Sequence, residues 1–149
     1  MLKKLIANTL YSFLTLLLMS LIFTFSGFLI IDLFKSFAGI VMAVLFAVLL
    51  CFGYLIGGKL HYSKGPGVVS IVIFPVLMIA ALYGLSMVGI PVLSMLIQYP
   101  AAIWSEAFHL KLTYNNSLHF IVYCVVLGLH YIANALAIYV GAYKKHKDN

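Results

Sequence analysis

The chain has 149 residues, of which 65% are hydrophobic and only 8% are charged, with nine lysines, no arginine and three acidic residues. An ordinary globular chain has roughly 25% charged residues, so this composition excludes a water-soluble domain and predicts a membrane protein. It also excludes a disordered chain, and the two cysteines, Cys51 and Cys124, are too few for a disulfide-stapled secreted domain. Because the lysines lie at the ends of apolar runs rather than in one patch, a nucleic-acid-binding surface is not expected.

Four apolar runs without Lys, Asp or Glu are long enough to cross a bilayer. A transmembrane helix needs about 20 apolar residues, and lipid requires every backbone polar group to be paired within the segment, which favours helices. The predicted spans are residues 5–31, 37–58, 68–88 and 118–143. The first run is longer than the roughly 7–15 apolar residues of a signal peptide, so it is predicted to remain uncleaved. The sequence therefore predicts an all-α membrane protein with one domain, a four-helix transmembrane bundle.

The third run continues without charge to about residue 97, which is too long for one straight crossing. Pro75 predicts a kink inside the span. Gly89 and Pro91 predict a break after it, because proline lacks an amide donor and glycine is a poor helix former. On this interpretation the third span ends near residue 88.

An outer segment, residues 90–116, then connects the third span to the fourth. It contains Tyr99 and Trp104, which are typical of the membrane interface, and it is predicted to be partly interfacial. A single tilted helix that reaches Ile97 is an equally good alternative.

The lysines predict the orientation of the spans, because short cytoplasmic loops collect basic residues. Seven of the nine lysines fall on one predicted side of the membrane: Lys3, Lys4, Lys59, Lys64, Lys144, Lys145 and Lys147. Lys35 and Lys111 fall on the other side, together with Asp32 and Glu106. Both termini are therefore predicted to be cytoplasmic. The use of lysine alone, with many Ile, Phe, Tyr and Leu residues, is typical of an AT-rich genome and leads us to expect a bacterial plasma membrane.

Polar side chains recur on one face of the fourth span, where His119, Tyr123, His130 and Asn134 are spaced by four, seven and four residues. An ionisable residue inside a span is a functional hypothesis by default, so His130 is a candidate proton carrier, ligand contact or metal ligand, oriented by Asn134. The simpler interpretation is interhelical hydrogen bonding, worth about 1 kcal/mol per bond. The first span offers polar residues at helical spacing for this purpose: Asn8, Ser12, Thr15, Ser20 and Thr24.

Small residues four positions apart indicate faces where helices approach closely. The candidates are Gly39, Ala43 and Ala47, then Gly53 and Gly57, in the second span, and Ala133, Ala137 and Gly141 in the fourth. Cys51 and Cys124 lie at different depths in their spans and are predicted to be free thiols.

No catalytic set, cofactor site or complete metal site is predicted, since Glu106 and His109 alone supply too few ligands. The leading hypothesis is a non-enzymatic accessory, immunity-type or regulatory subunit, whose partners are the lipid bilayer and a second membrane protein or further copies of itself. One alternative is a small oligomeric channel or carrier lined by the polar face of the fourth span. Another is a cofactor-binding protein that uses His130 across a dimer.

Overall fold

The structure is a computed structural model that describes residues 2–60, 66–86, 91–110 and 117–147. These residues are almost entirely helical, and none of them lies in a β-strand. They form five helices, which we number in chain order: α1 (Leu2–Phe34), α2 (Ala38–Gly57), α3 (residues 66–86), α4 (Pro91–Ala107) and α5 (Ser117–Lys147).

Three segments of the described chain are long and apolar enough to cross a membrane. They are Leu2–Gly57, Pro66–Gly84 and Ser117–Lys147, and the first contains both α1 and α2. The prediction of an all-helical protein with helices of membrane-spanning length is confirmed.

The first two helices fold back on each other. A 3-10 turn, Lys35–Phe37, joins them, and Lys35 adopts a left-handed conformation with φ of 38°. Met19 lies against Gly53 and Gly27 lies against Met42, so later residues of α1 meet earlier residues of α2. The two helices are therefore antiparallel.

The closest helix pair in the bundle is formed by α2 and α5. A Cβ atom added to Gly57 would overlap the backbone of Ile138, and one added to Gly141 would overlap a backbone carbonyl of α2. Towards the other end of the pair, the Phe46 and His130 rings are in contact. Phe46 precedes Gly57 in α2 as His130 precedes Gly141 in α5, so the two helices run parallel, and glycine is required where their backbones meet.

The third helix changes its winding near its start. It begins as Pro66–Val68, continues as a π-helical stretch, Val69–Ile73, and then becomes the α-helix Phe74–Ser86. Pro75 is the second residue of the α-helical part, directly after the π-helical stretch. A proline ring clashes with the carbonyl four residues earlier, and the wider π-helical turn accommodates it.

Ser12 of α1 completes this accommodation. In a regular helix the Ile71 carbonyl would accept a hydrogen bond from residue 75, which is a proline without an N–H. The Ser12 hydroxyl donates to the Ile71 carbonyl oxygen at 2.7 Å, and Ser12 is fully buried. The kink expected at Pro75 is thus a π-helical stretch held by a hydrogen bond from another helix.

The fourth helix packs against the rest of the bundle. Its residues Ile97, Ala101, Ile103 and Ala107 are at least 96% buried. Ile103 lies against Gly27 of α1, which has no side chain to obstruct it. The sequence predicted a partly interfacial segment here and did not predict this burial. The alternative of one helix reaching Ile97 stays a prediction, because residues 87–90, between α3 and α4, lie outside the described residues.

The end of α4 is capped by its own backbone. The Leu110 N–H donates to the Ser105 carbonyl at 2.7 Å and the His109 N–H donates to the Glu106 carbonyl at 3.0 Å. His109 has a left-handed φ of 54°, so the three features together form a Schellman motif. Glu106 and His109 are exposed at this end of the helix. The predicted segment continues through residues 111–116, which lie outside the described residues.

Candidate functional site

His130 occupies the centre of an aromatic cluster. It projects from α5, and only 2% of its surface is exposed. The centroids of the Phe23 ring of α1 and the Phe46 ring of α2 lie 4.8 and 5.0 Å from that of the imidazole. Trp104 of α4 donates from Nε1 to Nδ1 of His130 at 3.4 Å. The imidazole is therefore enclosed by side chains from three other helices.

The contact with Trp104 favours one tautomer of the imidazole. Because the Trp104 N–H donates to Nδ1, that nitrogen is the acceptor, and a neutral His130 carries its hydrogen on Nε2. Among the residues that the structure describes, Nε2 of His130 has no hydrogen-bond partner. A buried polar atom without a hydrogen-bond partner is found where the structure is strained or where the atom binds a ligand.

Asn134 does not contact the imidazole by a hydrogen bond. Its Nδ2 donates to the backbone carbonyl of His130 at 2.9 Å, within the same helix. Its Oδ1 is buried and has no partner within the described part of the chain. The sequence interpretation, in which Asn134 orients the His130 ring, differs from this geometry.

The other two residues of the predicted polar face lie nearer the start of α5. Tyr123 is buried, and its hydroxyl donates to the Gln98 carbonyl of α4. His119 is half-buried. Tyr123, His130 and Asn134 therefore all face the interior of this chain, and α4 covers the part of the face nearer the start of α5.

The polar residues of α1 make a separate set of contacts. All five predicted positions are buried: Asn8, Ser12, Thr15, Ser20 and Thr24. Ser20 Oγ lies 2.9 Å from the Tyr131 hydroxyl oxygen, and the Tyr131 hydroxyl donates to the Ile97 carbonyl of α4 at 3.4 Å. Tyr131 thus links α1, α4 and α5, although it lies beside the polar face that the sequence singled out.

Two residues of the cluster were missed by sequence reasoning for different reasons. The sequence predicts an interface position for Trp104, because this residue lies in a segment of mixed polarity. The Cα of Tyr131 lies off the line through His130 and Asn134, but its long side chain reaches Ser20. Neither contact has a signal in the sequence, since both depend on the depth and rotation of separate helices.

The predicted close-packing residues divide between the interior and the surface. Gly39, Gly53, Gly57 and Gly141 are buried, Ala133 and Ala137 are half-buried, and Ala43 and Ala47 are exposed. One turn beyond Ala47, Cys51 is also exposed. We call the exposed line Ala43, Ala47 and Cys51 the α2 seam.

Within the described residues, no group of three or more His, Cys, Asp or Glu side chains could hold a metal ion. Cys51 and Cys124 are both free thiols.

Comparisons with known proteins identified no relative of this chain: no protein-family model, no curated protein and no solved structure matches it.

Proposed function

We propose that this protein is a non-enzymatic accessory membrane subunit, of a regulatory or immunity type, that docks against a partner through the α2 seam. The observation that carries the proposal is a difference in burial between the small residues of α2. Gly53 and Gly57 pack inside the chain, whereas Ala43 and Ala47 turn their small side chains outward. Small side chains one turn apart allow a second helix to approach closely, which is the main source of helix association in lipid.

The burial of the polar face favours this function over the two alternatives. A channel or carrier shared between copies would need the His130 face on the outside of each copy, and so would a cofactor held between two His130 side chains. His130 and Asn134 are instead 2% and 1% exposed and enclosed by their own chain. Their surroundings support a structural role in joining the helices.

For topology we propose four crossings, by α1, α2, α3 and α5, with both termini on the cytoplasmic side of a bacterial plasma membrane. The antiparallel packing of α1 with α2 and the parallel packing of α2 with α5 support this arrangement. The distribution of the lysines supports the direction. Helix α4 then lies near the outer end of the bundle, since its last residue contacts Gly39 at the α1–α2 turn.

The docking proposal is tested by photocrosslinking in the native membrane. A photoreactive amino acid replaces Val44, which borders the seam, and in a control protein it replaces Leu14 of α1. Both side chains are 60% exposed, so lipid access is matched. We expect an adduct with one second protein from position 44 and none from position 14. Ala47→Trp, which fills the seam, should abolish the adduct while the protein still accumulates in the membrane.

Two results would overturn the proposal. Adducts with lipid alone at position 44 would show that no protein covers the seam. An adduct formed only with a second copy of the chain would favour the oligomeric channel or carrier, and flux measurements in liposomes would follow.

A further inference from the structure

An apolar groove lies between the first turns of α1 and the start of α3, away from both the His130 cluster and the α2 seam. Its volume is about 620 Å³, within the roughly 300–1,000 Å³ range of small-ligand pockets. Its lining extends from Leu2 to Leu10 on α1 and from Pro66 to Met78 on α3. At about 1.5 Å per residue these stretches are about 12 Å and 18 Å long, so the groove follows both helices for two to three turns.

The chemistry of the groove matches a hydrocarbon. Of the ten described residues that line it, eight are apolar and none is charged. The other two are Thr9 and Ser70, and both hydroxyl hydrogens are already used within their own helices. Thr9 donates to the Leu5 carbonyl at 3.0 Å, and Ser70 donates to the Gly67 carbonyl at 3.4 Å. The described lining therefore favours a ligand without polar groups.

The walls of the groove are held in place by the fold. The hydrogen bond from Ser12 to Ile71 joins α1 to α3 beside the groove, and both residues are fully buried. Ser70, in the π-helical stretch, is 1% exposed and forms part of the floor. On the outer side, Ile6 of α1 and Phe74 of α3 are 52% and 51% exposed. The groove is therefore preformed and open towards the surroundings of the bundle.

The dimensions of the groove favour a single extended chain over a helix as its occupant. A helix about 10 Å in diameter would need roughly 1,200 Å³ over a length of about 15 Å, which is twice the volume of the groove. The hydrocarbon core of a bilayer is about 30 Å thick, so one leaflet is about as deep as the groove is long. The groove begins in the first turn of α1, next to Lys3 and Lys4 at the lysine-rich end of the bundle.

We propose that this groove binds one acyl chain of a phospholipid from the leaflet at the lysine-rich end of the bundle. The chain passes from one hydrocarbon environment to another, so its binding depends on van der Waals contacts with fixed walls rather than on removal from water. These contacts include the floor of the groove, which lipid that only surrounds the bundle does not reach. The proposal does not depend on the α2 seam or on its partner.

The test is photolabelling of the full-length protein in phosphatidylcholine vesicles that contain a phosphatidylcholine with a diazirine in its acyl chain. The labelled residues are mapped by mass spectrometry. Ser70 reports on the groove, whereas Leu77 of the same helix, 57% exposed and outside the lining, reports on the surrounding lipid. We expect Ser70 to be labelled at least as strongly as Leu77. Labelling of Leu77 without labelling of Ser70 would overturn the proposal.

A pair of variants tests whether the groove itself holds the chain. Val69→Trp places an indole ring in the groove, and Val68→Trp is the matched control. Val68 and Val69 are 36% and 37% exposed, and of the two it is Val69 that lines the groove. We expect Val69→Trp to lower the labelling of Ser70 relative to Leu77 about tenfold, because the ring occupies the space of the chain, and Val68→Trp to leave this ratio unchanged. An equal effect of the two substitutions would contradict the site.

A second measurement identifies the occupant in the native membrane. A photoreactive amino acid replaces Ile6, which lines the groove on its open side. We expect an adduct with the mass of a phospholipid. An adduct with a protein would assign the groove to a partner chain, and an adduct with a lipid that lacks phosphate would assign it to another hydrocarbon. Either result would overturn the phospholipid as its ligand.

Discussion

His130 contributes its ring to a cluster that joins four helices, and we expect its size to contribute more to stability than its polarity does. One nitrogen accepts a long hydrogen bond from Trp104, and the other has no partner within the described chain. The Phe23 and Phe46 rings occupy the remaining space around it. A buried donor without a partner lowers stability, whereas a filled aromatic site raises it.

Replacement of His130 by phenylalanine should therefore be tolerated. His130→Phe keeps a ring of similar volume and removes the unpartnered N–H, but it also removes the acceptor of the long Trp104 hydrogen bond. These two effects oppose each other, so we expect the free energy of unfolding to change by less than about 1 kcal/mol. His130→Ala leaves a cavity and should lower it by about 3 kcal/mol. Unfolding in detergent can be followed by the fluorescence of Trp104, the single tryptophan of the chain. A loss of similar size in both variants would show that the imidazole polarity is essential.

The hydrogen bond from Ser12 to Ile71 provides a second residue-scale test, because its importance depends on Pro75. Ser12→Ala should lower the free energy of unfolding by about 1 kcal/mol, since a buried carbonyl loses its donor. In a Pro75→Ala background residue 75 regains an N–H for that carbonyl, and Ser12→Ala should then have a smaller effect. The comparison is a double-mutant cycle measured by unfolding in detergent. Additive effects of the two substitutions would contradict this account of the π-helical stretch.

At the scale of helices, the bundle depends on the close approach of α2 to α5. Gly57 and Gly141 face each other's helices at the point where backbone meets backbone, and a backbone carbonyl cannot move aside as a side chain can. The small-residue pattern in the sequence predicted close packing at these glycines. It did not predict that Ala43 and Ala47 of the same helix would be exposed, because one helix presents different faces to its neighbours along its length.

A substitution at the contact between α2 and α5 should distinguish the effect of helix packing on stability from the effect of helix propensity. Gly57→Ala should lower the free energy of unfolding by about 2 kcal/mol, because the added methyl group pushes α2 away from α5. Gly128→Ala is the control, since a Cβ there has no described heavy atom within 4 Å. It should be neutral or stabilising by up to about 1 kcal/mol, as alanine is the better helix former. Equal stability of the two variants would show that α2 and α5 can move apart without loss of stability.

At the scale of the whole molecule, the asymmetry of the lysines and the helix directions lead to the proposed orientation in the membrane. Among the described residues, six lysines lie at one end, and the α1–α2 turn lies at the other.

The orientation is tested with single cysteines in a Cys51→Ala, Cys124→Ala background. Ser36→Cys lies in the exposed turn between α1 and α2, and Lys147→Cys lies at the end of α5. A membrane-impermeant maleimide added to intact cells should label position 36 and leave position 147 unlabelled until the cells are opened. Labelling of position 147 in intact cells would overturn the proposal of cytoplasmic termini.

Composition and the lengths of the apolar runs determined the class of this protein and its helices. A helix in lipid pairs its backbone groups within its own segment, so its existence depends on local sequence alone. The same local rule predicted that Pro75 disturbs its helix. The tertiary structure decided how the disturbance is resolved, by a hydrogen bond from Ser12 to Ile71, which are 59 positions apart in the chain.

The tertiary structure also decided which side chains meet. Helical periodicity places His130 and Asn134 on one face, but it does not specify the depth or rotation of the helices opposite them. The contacts of His130 with Trp104 and of Tyr131 with Ser20 depend on three or more helices at once, as does the burial of α4. A property that needs only one helix can be derived from the sequence, whereas a contact between helices is decided when they pack.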